Sequence, residues 1–221
     1  MKYSSFISCS ALVVALGNLT GCSDPTDANE SNFTKAINEK LSDACVAYNP
    51  IGINFAVNRL NGKSYPVAVA LEQSSPYRSK EQVDQMNARS LASLEQAVKV
   101  GLLDETDGEV PKDFGSGNTP AKIFSLTKLG EKALMPEMPY RFCAAHYQVE
   151  SIEEFTKPNQ VGPVTVSQVS YTLTLADQAS WAKDTEIQKE LFGGNSPEAF
   201  RKGRTVLVQT NKGWHVDGGL H

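Results

Sequence analysis

Apolar residues recur at helical spacing at Phe33, Ile37, Leu41 and Ala44, with Ser31 or Asn32 available as N-cap, and this predicts an opening helix. Strict alternation follows at Ile53, Phe55 and Val57, and again at Tyr65, Val67, Val69 and Leu71, with Asn61-Gly62 between the two runs. A period of two turns one side of each strand to a core, and Asn-Gly is favoured where both central residues of a hairpin turn need positive φ. Pro66 has no backbone N–H, so the second strand is expected to lie at a sheet edge there. The longest helix is expected over Ser79 to Gly101. Ser79 and Gln82 form a capping-box pair, Val83, Met86, Leu91, Leu94 and Val98 make the apolar stripe, and Gly101 ends it.

After a linker at Pro136 to Tyr140 (PEMPY) the pattern turns to β. Phe142 to Val149 reads as one strand. Val164 and Val166, followed by Val169, Tyr171, Leu173 and Leu175, read as a second whose alternation shifts phase near Gln168, which predicts a bulge or bend. A helix is expected over Thr185 to Phe192. Thr205 to Gln209 and Trp214 to Val216 predict a last hairpin, with Gly213 in the left-handed position of a three-residue loop.

The first residues change the picture. Lys2 precedes an apolar stretch from Phe6 to Leu19 that is too short to span a membrane and is followed by small residues and a polar run, the layout of a secretory signal. Its end, Leu19-Thr20-Gly21-Cys22, resembles a bacterial lipobox. That resemblance implies a diacylglyceryl group on the sulfur of Cys22 and cleavage just before it, so that residues 1–21 leave and Cys22 becomes the first mature residue. It also implies a membrane partner through the lipid anchor. Each buried lipid methylene contributes about 0.8 kcal/mol, and two or three chains would hold the protein permanently. Ser23 stands where enterobacterial-type lipoproteins carry an inner-membrane Asp, which favours the outer membrane, facing the periplasm. In a source without an outer membrane the same anchor implies the outer face of the cell membrane. Residues 22–31 are then expected as a polar tether, with an r.m.s. span of roughly 18 Å if flexible.

This compartment changes the reading of the cysteines. Cys9 leaves with the signal and Cys22 is lipidated, so Cys45 and Cys143 remain, and an oxidising periplasm favours a disulfide between them. With the two 98 positions apart, the loop-closure model credits such a bond with about 4 to 5 kcal/mol. Two buried free thiols packing as small hydrophobes is the alternative. No second ligand stands at C-x-x-C or His spacing from either cysteine, so no metal site and no cofactor is expected. The mature chain would hold 20 basic against 25 acidic residues without a basic cluster, which makes nucleic acid an improbable partner.

Residues 79–134 combine a helix closing on Gly-Leu-Leu, a Gly/Asp/Pro-rich loop, a short strand at Ile123 to Leu126 and a helix opening at LTKLGEKAL. Together they resemble the core of a winged-helix domain, without the cations its recognition face would need. The ending TVLVQTNKGWHVD is similar, over about a dozen residues, to the last hairpin of many small periplasmic and NTF2-like domains. The expected fold is α+β: an N-terminal helix, a β-hairpin and a winged-helix-like helical part packed with a C-terminal antiparallel sheet. Its α-rich part covers 32–135 and its β part 140–221, joined as one unit.

No catalytic centre is expected. His146, His215 and His221 are the only imidazoles. His146 falls three residues after Cys143, on the opposite face of a regular strand. Glu153-Glu154 and Asp104-Glu105 are adjacent carboxylates that do not face each other, and read as solvated loop charge. Trp181, in the polar stretch QASWAKD, is a candidate partner contact. Its alternative is a tryptophan folded back over the core. The sequence thus favours a non-catalytic binding or interaction module with a protein partner in the cell envelope. A hydrolase on the same anchor is the alternative, and a deep pocket with two separated carboxylates would favour it.

Overall fold

Asn29, not Ser31 or Asn32, caps helix α1 (Glu30–Leu41), its side chain accepting from the Asn32 N–H at 2.9 Å. The Asn32 amide is engaged elsewhere, donating to the carbonyls of Asp24 and Asp27 at 2.8 and 2.9 Å. Residues 24–29 are therefore docked on the body, in place of a free tether reaching to residue 31. The structure is a computed structural model that describes residues 24–52, 57–112, 115–195 and 202–218. The signal, Cys22, Ile53, Phe55 and His221 lie outside the described residues.

One sheet runs β2 (Val57–Arg59), β3 (Val67–Ala70), β5 (Asn118–Leu126) and β4 (Leu103–Pro111), antiparallel throughout. β3 is interior and not an edge, because its ladder begins at Val67, one residue past Pro66, where the missing N–H costs no bond. The connection before it is longer than an Asn-Gly turn. The Asn61 side chain accepts from Lys63 and Ser64 N–H groups and donates to the Tyr65 carbonyl, and of the pair Gly62 takes positive φ. The Gly/Asp-rich stretch expected as loop is strand β4. Its charges answer those of its neighbour: Lys122 lies 2.7 Å from Glu105 and 2.9 Å from Asp107. Asp104-Glu105 and Glu153-Glu154 thus sit on strands, not in loops; Glu105 pairs with Lys122 on the adjacent strand, and Glu153 and Glu154 reach Lys202 and Arg204, two strands away in the same sheet.

Helix α2 (Lys80–Lys99) carries both bonds of the Ser79–Gln82 capping box. Its buried stripe is Val83, Leu91, Leu94 and Ala97, while Met86 is exposed. Short α3 (Lys128–Ala133) follows β5.

The second sheet runs β1 (Cys45–Tyr48), β7 (Met138–Phe155), β9 (Val164–Ala176), β10 (Lys202–Thr210) and β11 (Gly213–Val216), with β6 (Leu134–Met135) on β7 and β8 (Asn159–Val161) on β9. Met135 pairs with Met138, so the expected linker at Pro136 is a tight turn inside this sheet. The bulges lie on β7, near Glu150 and Glu153. β9 alternates without interruption, burying Ser167, Val169, Tyr171 and Leu173, while Val164 faces out. In the last hairpin Thr210 pairs with Gly213, leaving two residues in the turn and placing Gly213 in the ladder. A Cβ at Gly213 would lie 2.9 Å from the Pro25 carbonyl oxygen. A 3-10 turn (Ser180–Lys183) leads into α4 (Thr185–Phe192), capped by Asp184.

The largest core cluster takes Val67 and Phe124 from the first sheet, Tyr48 and Phe142 from the second, Leu94 from α2, and Trp181 and Ile187 from the segment after β9. The parts before and after residue 136 share this core. A second cluster lies under α1, where Phe33 and Ile37 meet Tyr171, Leu207 and Trp214. Trp214 Nε1–H donates to the Thr26 and Asp27 carbonyls at 3.0 and 3.1 Å, and Gln209 Nε2 donates to Thr26 at 2.7 Å. The fold is mixed α+β with antiparallel sheets.

Candidate functional site

Where the first strand of each sheet ends, a cleft of about 480 Å³ opens between the loop at Asn49–Gly52, Arg59 at the end of β2, and Met138 to Arg141 at the start of β7. The Arg59 guanidinium carbon stands 5.1 Å from the centroid of the Tyr140 ring, a cation–π arrangement that holds the charge at the cleft wall. Tyr140 is itself braced edge-on by Tyr65 at 5.9 Å, and Tyr65 stacks on Phe142 at 5.7 Å. Burial pushes the Tyr65 hydroxyl well above its ordinary pKa, so it stays protonated. Neither Tyr65 nor Tyr140 has a hydrogen-bond partner for its hydroxyl among the described residues. Arg141 reaches Met138 Sδ at 3.5 Å, and among the described residues no carboxylate lies within 4.0 Å of either guanidinium. Among the described residues the cleft therefore offers two cations without a carboxylate partner and an aromatic face, and no described carboxylate lines it.

Trp181 takes the alternative place, folded back over the core. It is 6% exposed and packs against Tyr48 at 5.9 Å and Phe142 at 6.5 Å, because the 3-10 turn after β9 folds its aromatic side onto the core. The polar residues around it in sequence face solvent and hide this in a linear reading.

Cys45 and Cys143 are joined by a disulfide linking the first residue of β1 to β7. Their neighbour is unexpected. Ala47 pairs with Cys143 and Val46 with Ala145, so Ala144 is an extra residue in β7, and the strand's alternation slips by one. His146 thereby comes to the cysteine side, paired with Cys45, and its Nε2 lies 3.8 Å from Cys143 Sγ. The expectation that the imidazole points away from the sulfur fails on this bulge. Although neither cysteine has a second ligand at a metal-binding spacing in the sequence, the ligand atoms of Cys45, Cys143 and His146 all lie within 4.8 Å of one another in space. The cluster is half-buried, and His146 lines a second cavity of about 290 Å³ with Asn38, Ser42 and Asp177. His215 stands exposed on β11.

No protein-family model, curated protein or solved structure matches this chain, so its functional reading rests on its own residues. Neither arginine of the cleft was singled out from the sequence. They are 82 positions apart, and no linear spacing connects them; the only local signal is Arg141 directly after Tyr140.

Proposed function

We propose that this chain is a lipid-anchored cell-envelope protein, held through Cys22 at the periplasmic face of the outer membrane, and that its body is a non-catalytic module binding an acidic segment of another envelope protein. The lipobox-like Leu19 to Cys22 supports the anchor, and a cross-strand disulfide suits an oxidising compartment. The observation that carries the binding reading is the cleft with Arg59 and Arg141. Two guanidiniums without carboxylate partners are ready for the fork-like bonds that carboxylates accept, and the Tyr140 ring adds a rigid apolar contact. The same reading takes residues 79–134 as a winged-helix-like scaffold, supported by α2 packing on the β4–β5 hairpin with α3 after it. A wing whose helix carries only Arg89 and Lys99 as cations between Gln82 and Gly101 serves there as structure and not as a nucleic-acid reader.

In-cell photocrosslinking tests this. A photoreactive residue at Met138, on the cleft rim and 41% exposed, should capture a discrete protein in the envelope fraction. Arg59→Glu with Arg141→Glu should abolish the adduct, and Cys22→Ser should release the protein from membranes. An adduct that survives the double charge reversal overturns the cleft as the binding face, and Cys22→Ser that still sediments with acyl label overturns the anchor.

A further inference from the structure

We propose that opening the Cys45–Cys143 disulfide by a dithiol creates a three-ligand site for a thiophilic d¹⁰ cation, Zn²⁺ or Cu⁺, with Cys45, Cys143 and His146 as its ligands. This is independent of the cleft and of the membrane anchor.

The three ligand atoms already lie within 4.8 Å of one another, and the Sγ–Nε2 distance from Cys143 to His146 is 3.8 Å. Bond lengths of 2.3 Å to sulfur and 2.0–2.1 Å to nitrogen at a tetrahedral centre put a sulfur and a nitrogen ligand about 3.6 Å apart. The Cys143–His146 separation is thus within a few tenths of an ångström of the ligating value. The sulfurs, once unbonded, need only separate to about 3.8 Å by the same geometry.

The cradle does not depend on the disulfide for its shape. Cys45 is paired with His146 and Ala47 with Cys143 in the β1–β7 ladder, and the strand ends at Tyr48 and Phe142 are pinned in the core. After reduction the backbones stay side by side, so both thiols and the imidazole remain on one face. The Ala144 bulge is the device that puts all three there. Thiolate with imidazole is a soft donor set that selects Zn²⁺ or Cu⁺ over hard cations, and two sulfurs with one nitrogen leave a fourth position for water or an incoming group. The cavity beside His146 gives that position an access route.

The chemistry balances as two steps. A dithiol transfers two electrons to the Cys45–Cys143 bond by thiol–disulfide exchange, becoming a disulfide itself and leaving two thiols on the protein. The cation then binds both sulfurs and His146 Nε2 as the two thiol protons pass to water. A second disulfide, itself reduced to two thiols as it takes the two electrons and two protons, re-forms the Cys45–Cys143 bond and expels the ion, so occupancy follows the redox state.

The test uses the full chain with Cys9→Ser and Cys22→Ser, so that two cysteines remain, reduced and titrated without oxygen. Co²⁺ is the probe, because thiolate ligation gives it intense sulfur-to-cobalt absorption and tetrahedral coordination strong visible bands. The reduced protein should bind one Co²⁺ per chain with both signatures, and Zn²⁺ should displace it. The oxidised protein should show neither. His146→Ala should weaken binding by at least about ten-fold, the scale on which even outer-shell losses act. Its disulfide and its melting temperature in the oxidised state should stay as in the parent, which separates ligand loss from misfolding. One-to-one Cu⁺ binding with the same dependence on His146, without Zn²⁺ binding, would assign the ion within the class. Octahedral Co²⁺ spectra, a stoichiometry well below one, or equal affinity in parent and His146→Ala would each overturn the site.

Discussion

Trp214→Phe and Trp214→Ala should separate two contributions of the clasp that binds residues 24–29. Trp214 is 6% exposed and meets Phe33 edge-on at 5.0 Å, while its N–H is shared between the carbonyls of Thr26 and Asp27. Phenylalanine keeps most of the ring contact and removes the donor. Both carbonyls keep another partner, Thr26 from Gln209 and Asp27 from Asn32, so the loss is that of one net hydrogen bond, about 1 kcal/mol. Alanine also empties the pocket under α1, and a buried large aromatic cut to alanine costs about 3–5 kcal/mol. In a chain of this size 1 kcal/mol moves the melting temperature by roughly 2–4 °C, so falls of about 3 °C and 10 °C are expected. Urea unfolding at unchanged slope gives the free energies, and hydrogen exchange over residues 26–33 reports the clasp itself. If Trp214→Phe costs as much as Trp214→Ala, the assignment of most of the energy to ring burial is wrong. Unchanged exchange over 26–33 in Trp214→Ala would show that the tryptophan does not hold the segment.

Replacing both disulfide cysteines, Cys45→Ala with Cys143→Ala, should lower stability by about 4 to 5 kcal/mol, as the loop-closure model gives for a sequence separation of 98. Non-reducing mass spectrometry with calorimetry checks this, and two alkylatable thiols in freshly isolated parent protein would refute it. Burial pushes the Asp184 carboxyl up, but backbone N–H groups of Glu186 and Ile187 and the Lys99 ammonium at 3.6 Å outweigh it, so its folded pKa lies below the ordinary value. A depressed folded pKa gives stability that is present above the unfolded value, about 3.9, and lost as pH falls through the folded one. Asp184→Asn should therefore flatten the acid limb of a stability–pH curve below about pH 4 while leaving the cap in place; a limb as steep as the parent's would refute the assignment. A Cβ at Gly130 would lie 2.1 Å from the Leu102 carbonyl oxygen, so Gly130→Ala must displace α3, at a cost of about 1–3 kcal/mol by thermal unfolding. A neutral result would mean that α3 shifts freely.

The elements with strong local rules were legible. α2 follows its capping box and stripe, and α4 its Asp cap and apolar spacing, because both signals lie within a few residues. β4 was missed because it carries Asp104, Glu105, Asp107 and Glu109, which read as loop until Lys122 on the neighbouring strand pairs with Glu105 and Asp107. Pro66 misled because a proline just before a strand and one inside it look alike in sequence. The disulfide partners could be named by elimination, but His146 could not be added to them. One extra alanine reverses the alternation of β7, and a bulge has no signature in a strand of small apolar residues. For Trp181 the structure takes the core alternative, which the sequence could not choose by itself because its neighbours in sequence are polar, while its neighbours in space are aromatic.

The docked segment at residues 24–29 sets the length of the leash on which the body hangs. On the proposed anchoring only Ser23 separates the acylated residue from Asp24, and two residues reach at most about 7 Å. A ten-residue coil would have allowed the body to swing through roughly 18 Å. On that anchoring the short leash would keep the β10–β11 turn, which meets Pro25, close to the headgroups and would give the molecule one attitude toward the bilayer. A partner embedded in the same leaflet then meets the body at a high effective concentration and a fixed height, whereas one farther into the periplasm gains nothing from the tether.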